Sequence, residues 1–309
     1  MRVLVTGGAG FIGSYVTEEL LSQNHEVAVV DNLSSGKRSQ VPEGAVLYKG
    51  DVKGRELKGF FFDFKPDCVI HLAAQVSVAK SFQETRNDCE ANIIGTVNVL
   101  EACVKYKVKK VVFASTAALY GSPKYLPLDE DHRITPISFY GLSKKHAEEY
   151  IKMFSRLYGF TYTILRYANV YGMRQNADGE AGVVSIFIDS YLNDQPFAVL
   201  GDGTQTRDFV FVKDVAKANV AALTSGENEV INISTQQEIS IMDIVKKLNA
   251  IRGENKEPDF LNERTGDIRK SCLANKKAEA VLDWKPSYSF AEGIKETVEY
   301  YEKEMLIQS

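Results

Sequence analysis

Three tyrosine and lysine pairs in this sequence are spaced four residues apart, a spacing that can serve proton transfer. They are Tyr106 and Lys110, Tyr120 and Lys124, and Tyr140 and Lys144. On a helix, this spacing places the phenol and the amine on one face. Free tyrosine titrates near pH ~10, and a neighbouring cation lowers that value. A phenol held in this way can act as a base toward a substrate hydroxyl.

The surrounding sequence distinguishes the three pairs. The first pair straddles a helix end and a predicted strand, and the second is interrupted by Pro123, which a regular helix does not accommodate. Only Tyr140 and Lys144 begin a long helical stretch. Ser115 and Thr116 end the preceding strand, and their hydroxyls could pass a proton between a substrate and the phenolate. We therefore take these four residues as catalytic candidates, although Ser115 alone would favour a structural role.

A glycine-rich segment, T-G-G-A-G-F-I-G at residues 6–13, lies between a predicted strand and an amphipathic helix. In that context, missing side chains let the turn tighten and let backbone N–H groups approach a pyrophosphate at the positive end of the helix. The candidate cofactor-binding residues here are Gly7, Gly10, Phe11, Ile12 and Gly13.

The second predicted strand ends in Asp31, 18 residues after Gly13. A carboxylate at this point can accept hydrogen bonds from both ribose hydroxyls of NAD and would repel the 2′-phosphate of NADP. The alternative is a turn-capping aspartate. Lys37 and Arg38 follow closely, so the exclusion of NADP stays open.

Short β-branched runs alternate with helical segments through the first half of the chain, which is typical of a parallel sheet buried on both faces. The predicted strands are Val3–Val5, Glu26–Asp31, Val46–Tyr48, Cys68–Ala73, Lys110–Ser115 and Tyr162–Tyr167. The predicted helices run from about Phe11 to Gln23, Ala91 to Tyr106 and Tyr140 to Leu157. This pattern predicts an α/β fold, a doubly wound parallel Rossmann sheet of six or seven strands.

The alternation of predicted strands and helices gives way to shorter elements near residue 168, which predicts two domains. Residues 1–168 would form the NAD-binding Rossmann domain, with a returning segment near 208–235. Residues 169–309 would form a smaller mixed α/β domain that binds the substrate. Capping boxes predict helices after Ser240 and Ser289, and the last helix would run from Phe290 to about Met305.

The composition excludes several classes of protein. The chain has 309 residues, a formal net charge of −4 and 44% hydrophobic residues. It has no global basic field for nucleic acid or anionic membranes and no apolar run long enough to span a bilayer. The four cysteines and four histidines lack the spacing of a metal site, so no metal is expected. These features favour a cytoplasmic protein.

Seven segments in order carry a family resemblance. They are T-G-G-A-G-F-I-G (6–13), D-N-L-S-S-G (31–36), H-L-A-A-Q (71–75), S-T-A-A-L-Y-G (115–121), Y-G-L-S-K (140–144), L-R-Y-A-N-V-Y-G (165–172) and R-D-F-V-F-V (207–212). Together they resemble the extended short-chain dehydrogenase/reductase family, specifically its nucleotide-sugar 4-epimerases of the UDP-glucose 4-epimerase type.

The resemblance implies tightly bound NAD that is regenerated in each turnover, with Tyr140 as the base, Lys144 as its helper and Thr116 at the sugar 4-hydroxyl. The implied cofactor contacts are Asn32, Asp51, Val52, Leu72, Ala73, Ala74, Gln75, Lys80 and Asn92, besides Tyr140 and Lys144. The implied UDP-sugar contacts are Thr116, Asn169, Ala198, Arg207, Arg264 and Ser271. The helices at 91–106 and 140–157 would pair with their copies in a homodimer through a four-helix bundle.

The resemblance also bears on the reaction and the sugar. Related dehydratases carry an acidic pair directly after the threonine, where this chain has Ala117 and Ala118, so a dehydratase is disfavoured. Ser271 stands where strict glucose and galactose enzymes carry a bulky tyrosine. This implies that UDP-N-acetylglucosamine and its galacto epimer are accepted as well. The alternatives are another nucleotide-sugar epimerase, dehydratase or reductase, or a non-catalytic NAD-binding module.

Overall fold

The central element of the structure is a parallel sheet of seven strands. In this computed structural model, residues 1–176, 182–263 and 268–308 are described. The strands in chain order are β1 (Arg2–Thr6), β2 (Glu26–Asp31), β3 (Val46–Lys49), β4 (Cys68–His71), β5 (Lys110–Thr116), β6 (Thr161–Tyr167), β7 (Asn169–Tyr171), β8 (Ala198–Leu200), β9 (Thr206–Arg207), β10 (Phe209–Phe211), β11 (Glu229–Ile233), β12 (Ile239–Ser240) and β13 (Asp259–Leu261).

The strand order in the large sheet is β3-β2-β1-β4-β5-β6-β11. All its pairs are parallel, with Thr6 opposite Val30 on β2 and His71 on β4. The order reverses between β1 and β4, so the loops after these two strands leave in opposite directions. Ligands of doubly wound sheets bind in the crevice that this reversal opens at the carboxyl ends of the strands.

Helices cover both faces of the sheet. They are α1 (Phe11–Ser22), α2 (Leu57–Phe64), α3 (Val78–Gln83), α4 (Thr85–Cys89), α5 (Gly95–Lys105), α6 (Phe139–Tyr158), α7 (Val183–Leu192), α8 (Val212–Ala221), α9 (Ile241–Arg252), α10 (Lys276–Leu282) and α11 (Phe290–Gln308). One core cluster joins the sheet to α1 and α8, and a second joins its other face to α2, α5 and α6. The strands read as continuous apolar runs because both faces are buried.

The α/β fold expected from the sequence is confirmed, with local differences. The residues between α4 and α5, Glu90–Ile94, form a π-helical turn, so the helical segment begins at Thr85 rather than near Ala91. The sequence analysis did not predict α2 or α3. Both predicted capping boxes are present, at Ser240 with Asp243 and at Ser289 with Glu292.

The strands outside the large sheet form three pairs. β7 pairs with β10 and β8 with β13 in parallel, and β9 pairs with β12 antiparallel. Between β10 and β12 the chain contributes α8 and β11 to the large sheet and its cover. Within the described ranges, no helix is long and apolar enough to cross a membrane.

Candidate active site

The glycine-rich turn after β1 is built from close backbone contacts. Gly7 has φ of 72°, and a Cβ there would lie 2.8 Å from the backbone nitrogen of Ala73, in the loop after β4. A Cβ on Gly13 would lie 2.1 Å from the carbonyl oxygen of Gly7. Neither position accepts a side chain without moving backbone. The turn therefore brings its peptide groups to the crevice between β1 and β4.

The turn leads directly into α1. Gly10 is the N-cap of this helix and provides no side-chain cap, so the N–H groups of the first turn face outward at its positive end. Phe11 is buried and Ile12 packs against the same core cluster. These two side chains fix the direction of the helix axis, and the end of α1 can receive a diphosphate.

Asp31 closes the other side of this turn. Its carboxylate accepts hydrogen bonds from the backbone N–H groups of Ala9, at 3.0 Å, and Leu33, at 2.8 Å. Burial raises the pKa of this carboxyl, and the two backbone hydrogen bonds act in the opposite direction. The carboxylate thus ends β2 directly beside the glycine-rich turn, where a ribose would lie.

Gly36 is a site residue that the sequence analysis missed. A Cβ there would lie 2.6 Å from the carbonyl oxygen of Ala9, and the N–H of Lys37 donates to the same oxygen at 3.1 Å. The loop after β2 therefore folds against the glycine-rich turn. A glycine five residues after Asp31 was the available signal.

The expected adenosine-side residues lie beyond Asp31. The Asn32 amide donates to the carboxylate of Asp51 at 2.9 Å, and Asp51 in turn accepts from the N–H of Lys53. Val52 is buried, and a Cβ on Gly95 would touch its side chain at 2.8 Å. These contacts join the ends of β2 and β3 to α5.

The loop after β4 is held by Asn92 in the π-helical turn. The Asn92 side chain accepts from the backbone N–H of Gln75 and donates to its backbone carbonyl, each at 2.9 Å. Earlier in the same loop, the backbone N–H groups of Leu72 and Ala73 donate to the carbonyl and the hydroxyl of Thr6. Ala74 is partly buried. π-Helical turns often occur at functional sites, and this one fixes the backbone that faces the glycine-rich turn. Lys80 lies exposed on α3.

Together these features fit a dinucleotide. Gly7 and Gly13 accept no side chain without a backbone shift, and a Cβ on Gly10 would lie 3.3 Å from the Gly7 carbonyl oxygen. The first turn of α1 has no side-chain cap. The turn could therefore hold a pyrophosphate, and the Asp31 carboxylate could accept hydrogen bonds from the adenosine ribose.

Lys144 lies on α6 beneath the crevice and is 3% exposed. Its Nζ donates to the carbonyl oxygen of Ala114 on β5 at 2.9 Å and lies 4.8 Å from the centre of the Phe113 ring. Burial lowers the pKa of this amine to about 8, while the Asp88 and Glu148 carboxylates act to raise it. One of its three protons is used by Ala114, which leaves donors for other groups.

Tyr140 lies one turn before Lys144 and is partly exposed. The helix begins there because the Ser138 hydroxyl accepts from the N–H of Gly141. A Cβ on Gly141 would lie 2.6 Å from the carbonyl oxygen of Ala118, so the first turn of α6 packs against the segment that follows β5. Tyr140 is thereby placed beside the end of that strand.

Thr116 ends β5 at this contact. Its Oγ1 accepts from the N–H of Ala118 at 3.1 Å, a bond that does not use the hydroxyl proton. The side chain is partly exposed. Thr116 therefore has a proton to donate in the same region as Tyr140 and Lys144.

The expectation for Ser115 is wrong. Successive strand residues face opposite sides of a sheet, and the Ser115 hydroxyl donates to Glu148 at 2.6 Å in the interior. Glu148 is paired with Arg166 at 3.0 and 2.8 Å, and Arg166 donates to the Tyr120 hydroxyl at 3.0 Å. Ser115 is 3% exposed and belongs to this buried ionic network, which joins α6 to β5 and β6.

The candidate substrate residues come from several segments. The N–H of Asn169 donates to the carbonyl of Asp208 at 2.9 Å, and that of Ser271 donates to the carbonyl of Thr206 at 3.2 Å. Asn169, Arg207 and Ser271 are thus brought together, whereas Ala198 lies on the β8–β13 pair. Arg264 lies outside the described residues.

Asp208 lies next to Arg207 and bonds to Asn169 through its backbone carbonyl. The sequence analysis did not include it among the site residues. Its buried carboxylate accepts from the N–H groups of Thr235, Gln236 and Leu273 and from the Thr235 hydroxyl. Burial raises its pKa to about 6. An aspartate within an apolar strand, R-D-F-V-F-V, was the signal in the sequence.

Comparison with known proteins gives one family. The model of the NAD dependent epimerase/dehydratase family matches residues 3–234. The UDP-glucose 4-epimerase of Thermotoga maritima, solved with UDP-glucose, is similar with a TM-score of 0.96 and 45% identity, covering 99% of this chain and 100% of that one. The Thermus thermophilus UDP-glucose 4-epimerase, in complex with NAD, has a TM-score of 0.92 and 41% identity, with 98% of this chain and 99% of that one covered. The UDP-N-acetylglucosamine 4-epimerase of Methanobrevibacter ruminantium, in complex with UDP-N-acetylmuramic acid, has a TM-score of 0.93 and 35% identity, with 98% of this chain and 99% of that one covered.

The chain belongs to the NAD dependent epimerase/dehydratase family. The resemblance to enzymes of the UDP-glucose 4-epimerase type is thereby confirmed, as is NAD as the cofactor. Within the described part of the chain, no group of three or more His, Cys, Asp or Glu residues could hold a metal ion. The roles of individual residues stay proposals, to which the geometry adds Gly36 and Asp208.

Gly13→Ala tests the cradle. The new methyl group would meet the Gly7 carbonyl oxygen at 2.1 Å, so we expect the turn to open and the NAD that copurifies to fall about tenfold or more. The measurement is the nucleotide released from denatured protein, quantified by chromatography. Gly59→Ala, where no atom lies within 4 Å of the new Cβ, is the control and should keep its NAD. Full NAD content in Gly13→Ala would contradict the assignment.

Proposed function

We propose that this protein is an NAD-dependent 4-epimerase of UDP-hexoses that interconverts UDP-glucose and UDP-galactose. The observation that carries the proposal is the close packing of the first turn of α6, which carries Tyr140 and Lys144, against the carbonyl groups of Ala114 and Ala118 on either side of Thr116. Bound NAD would be held by the glycine-rich turn and Asp31 and would supply the hydride acceptor and donor for carbon 4 of the sugar. The chain itself must supply proton transfer, orientation and a hold on the nucleotide.

Proton transfer falls to Tyr140. As a phenolate it takes the proton of the sugar 4-hydroxyl, and as a phenol it returns that proton when the hydroxyl re-forms. The Lys144 ammonium, held by the Ala114 carbonyl, stabilises the phenolate. Thr116 can donate its hydroxyl proton to the same sugar oxygen, because its bond with Ala118 uses only its lone pair.

Epimerisation also requires that the sugar present either face while the nucleotide stays bound. The N–H of Asn169 bonds to the backbone carbonyl of Asp208 and that of Ser271 to the backbone carbonyl of Thr206. Arg207 lies between those two carbonyls in sequence, so we propose that the three residues form the nucleotide end of the site. In this proposal Arg207 holds a phosphate by a charge-assisted hydrogen bond, and Asn169 donates to a phosphate or sugar oxygen. Arg264 and the Ala198 segment keep the roles that the resemblance implies, at the phosphates and beside the uracil.

The absence of an acid pair after Thr116 favours epimerisation over dehydration. Ala117 and Ala118 occupy these positions and are partly buried. Loss of water from carbon 6 needs an acid to protonate the leaving hydroxyl, and an alanine cannot supply one. We therefore propose an isomerase with no net redox change.

Tyr140→Phe tests the base. The variant keeps the ring and removes the hydroxyl, so we expect kcat for UDP-glucose to fall about 100-fold or more. Proton NMR of the anomeric signals, without added NAD, follows UDP-galactose formation. Tyr106→Phe changes the first residue of another four-residue pair and should leave kcat unchanged. Parent-like turnover by Tyr140→Phe would refute the mechanism.

The sugar range extends to N-acetylated substrates in our proposal. Ser271 has a small side chain, and its N–H is fixed to the Thr206 carbonyl at 3.2 Å, so room is left where a larger residue would reach the sugar. The similarity to a UDP-N-acetylglucosamine 4-epimerase supports this range.

Ser271→Tyr should therefore separate the two substrate classes. We expect kcat/KM for UDP-N-acetylglucosamine to fall about tenfold or more and that for UDP-glucose to change little, because only the acetamido group would clash. Both are measured by NMR of the purified variant. Ser271→Ala is the matched control and should keep both substrates. If the parent converts UDP-glucose but no N-acetylated sugar, this part of the proposal is wrong.

We further propose that the protein is a homodimer through α6 and the helical segment at 85–105. One face of α6 carries large apolar side chains that are exposed in the single chain, Leu142, Tyr150, Met153 and Leu157. They recur at helical spacing opposite the buried face that carries Lys144 and Glu148. A second copy of the same face would bury this stripe in a four-helix bundle.

Met153→Asp/Leu157→Asp tests the dimer. Two charges within the stripe should prevent its burial, so we expect light scattering after gel filtration to report one 34.4 kDa chain for the variant and two for the parent. Ile251→Asp alters an exposed apolar residue on α9 and should stay dimeric. A monomeric parent would disprove the proposal.

A further inference from the structure

Asp88 is a buried carboxylate that the proposed reaction does not use. It lies on α4 and is 1% exposed. Its Oδ1 accepts from the side-chain amides of Gln75, at 2.8 Å, and Asn92, at 3.2 Å. Both donors are neutral amides, and among the described residues Asp88 forms no ion pair. A buried charge held only by amides is costly, and a cation in the same region would offset that cost.

The cation in the same region is Lys144. The Asn92 Nδ2 that contacts Asp88 also donates to the Ser143 hydroxyl at 3.0 Å, so the Asn92 amide lies between the carboxylate and the residue next to Lys144. Ser143 in turn donates to the Tyr140 carbonyl at 3.0 Å. Lys144 itself contacts a neutral carbonyl and an aromatic ring. A buried ammonium in such surroundings needs a counter-charge to stay protonated.

The other groups around Lys144 do not provide an unshared charge. Glu148, one turn along α6, is paired with Arg166 of β6. His71 of β4 is neutral, because burial and the Lys144 charge lower its pKa to about 3. Tyr167 of β6 is also neutral, because burial raises its pKa. On α3, Lys80 is exposed, and on the turn after α4, exposed Glu90 is paired with Arg86.

We propose that Asp88 is a positioning residue that acts through Lys144, keeping the buried ammonium charged at neutral pH so that it can stabilise the Tyr140 phenolate. Two independent features agree with this. The same carboxylate oxygen orders Gln75 and Asn92, which clamp the cofactor loop. Burial also lowers the pKa of Lys144 to about 8 while the Asp88 carboxylate acts to raise it, so removal of the carboxylate would lower that pKa further. The inference rests on the proposed function of Tyr140 and Lys144.

Asp88→Asn removes the charge and keeps an oxygen that can accept from both amides. Loss of a nearby negative charge lowers the pKa of Lys144, so we expect the alkaline limb of the kcat profile to move about one pH unit or more to lower pH. KM for UDP-glucose should stay within twofold, since among the described residues the Asp88 side chain bonds to Gln75 and Asn92 rather than to a proposed substrate residue. Loss of packing alone would lower kcat at every pH and leave the limb in place.

A second readout does not depend on activity. With [6-13C]lysine labelling, the Cε signal of Lys144, assigned through Lys144→Arg, titrates with the amine. Its midpoint should fall by about one unit in Asp88→Asn. Asp88→Ser is a second uncharged variant and should behave alike, whereas Asp88→Glu keeps the charge and should restore the parent midpoint. Asp214→Asn removes another buried carboxylate, which binds Ser287 and Tyr288, and should change neither readout.

The outcomes separate this inference from the proposed function. If the parent converts no UDP-hexose, the proposed function fails, and the NMR midpoint still tests Asp88. If the parent is active and the midpoint and the alkaline limb in either uncharged variant match the parent within 0.2 unit, about 1.6-fold in the equilibrium constant, the inference is overturned. A shift in Asp88→Glu equal to that in Asp88→Asn would overturn it as well, because it would show an effect of shape rather than charge.

Discussion

A charged amine held away from water is the constraint on which the site depends. The Lys144 ammonium is 3% exposed and bonded to the Ala114 carbonyl, and removing such a group from water costs several kcal/mol unless partners compensate. The helix that carries it must therefore lie tightly against β5. Gly141 makes this possible, since any side chain there would meet the Ala118 carbonyl. The same close approach packs the turn that carries Tyr140 against the segment after Thr116, so the position of the proposed base follows from the burial of its proposed helper.

A series of buried hydrogen bonds through His71 connects the segments that line the crevice. The Thr6 hydroxyl accepts from the Ala73 N–H, so its own proton faces His71 Nδ1 at 2.7 Å. His71 Nε2 then carries the proton toward the Thr96 hydroxyl, which donates to the Asn92 carbonyl. This assignment needs a neutral imidazole, in agreement with its lowered pKa. Each polar group in this series of hydrogen bonds has a partner, and the series joins the glycine-rich turn to the cofactor loop and the π-helical turn.

The sequence predicted the parts of the fold that local pattern controls. β2 was predicted with its observed bounds, because an apolar run ends at Asp31, and α6 to within one residue at each end, because Ser138 and Gly159 cap it. α2 was missed, since the run of phenylalanines at 60–62 shows no clear helical period. The π-helical turn could not be predicted, because its main partner, Gln75, lies 17 residues away. Ser115 was placed in the site with its neighbour Thr116, although strand alternation turns the Ser115 side chain to the opposite face, where it pairs with Glu148, 33 residues later. The candidate residue types could thus be recognised in the sequence. The buried charged groups that lie near them, such as Asp88, could be identified only from the tertiary structure.

The two ends of the proposed substrate site are built on different principles. At the nucleotide end, a buried carboxylate, Asp208, accepts four hydrogen bonds that join the loop after β11 to the segment after Ser271. These hydrogen bonds offset the cost of burying the charge, and they hold Asp208, the residue next to Arg207, in place. At the sugar end, the residues that follow Thr116 are alanines, which offer contact surface without directional bonds. A rigid hold on the diphosphate combined with a weak hold on the ring is what an enzyme needs when one proton-transfer group must serve two orientations of the same sugar. In the proposed site the asymmetry is one of charge: the ionic groups lie at the nucleotide end, where the substrate must stay bound, and the alanines after Thr116 lie at the sugar end, where it must turn.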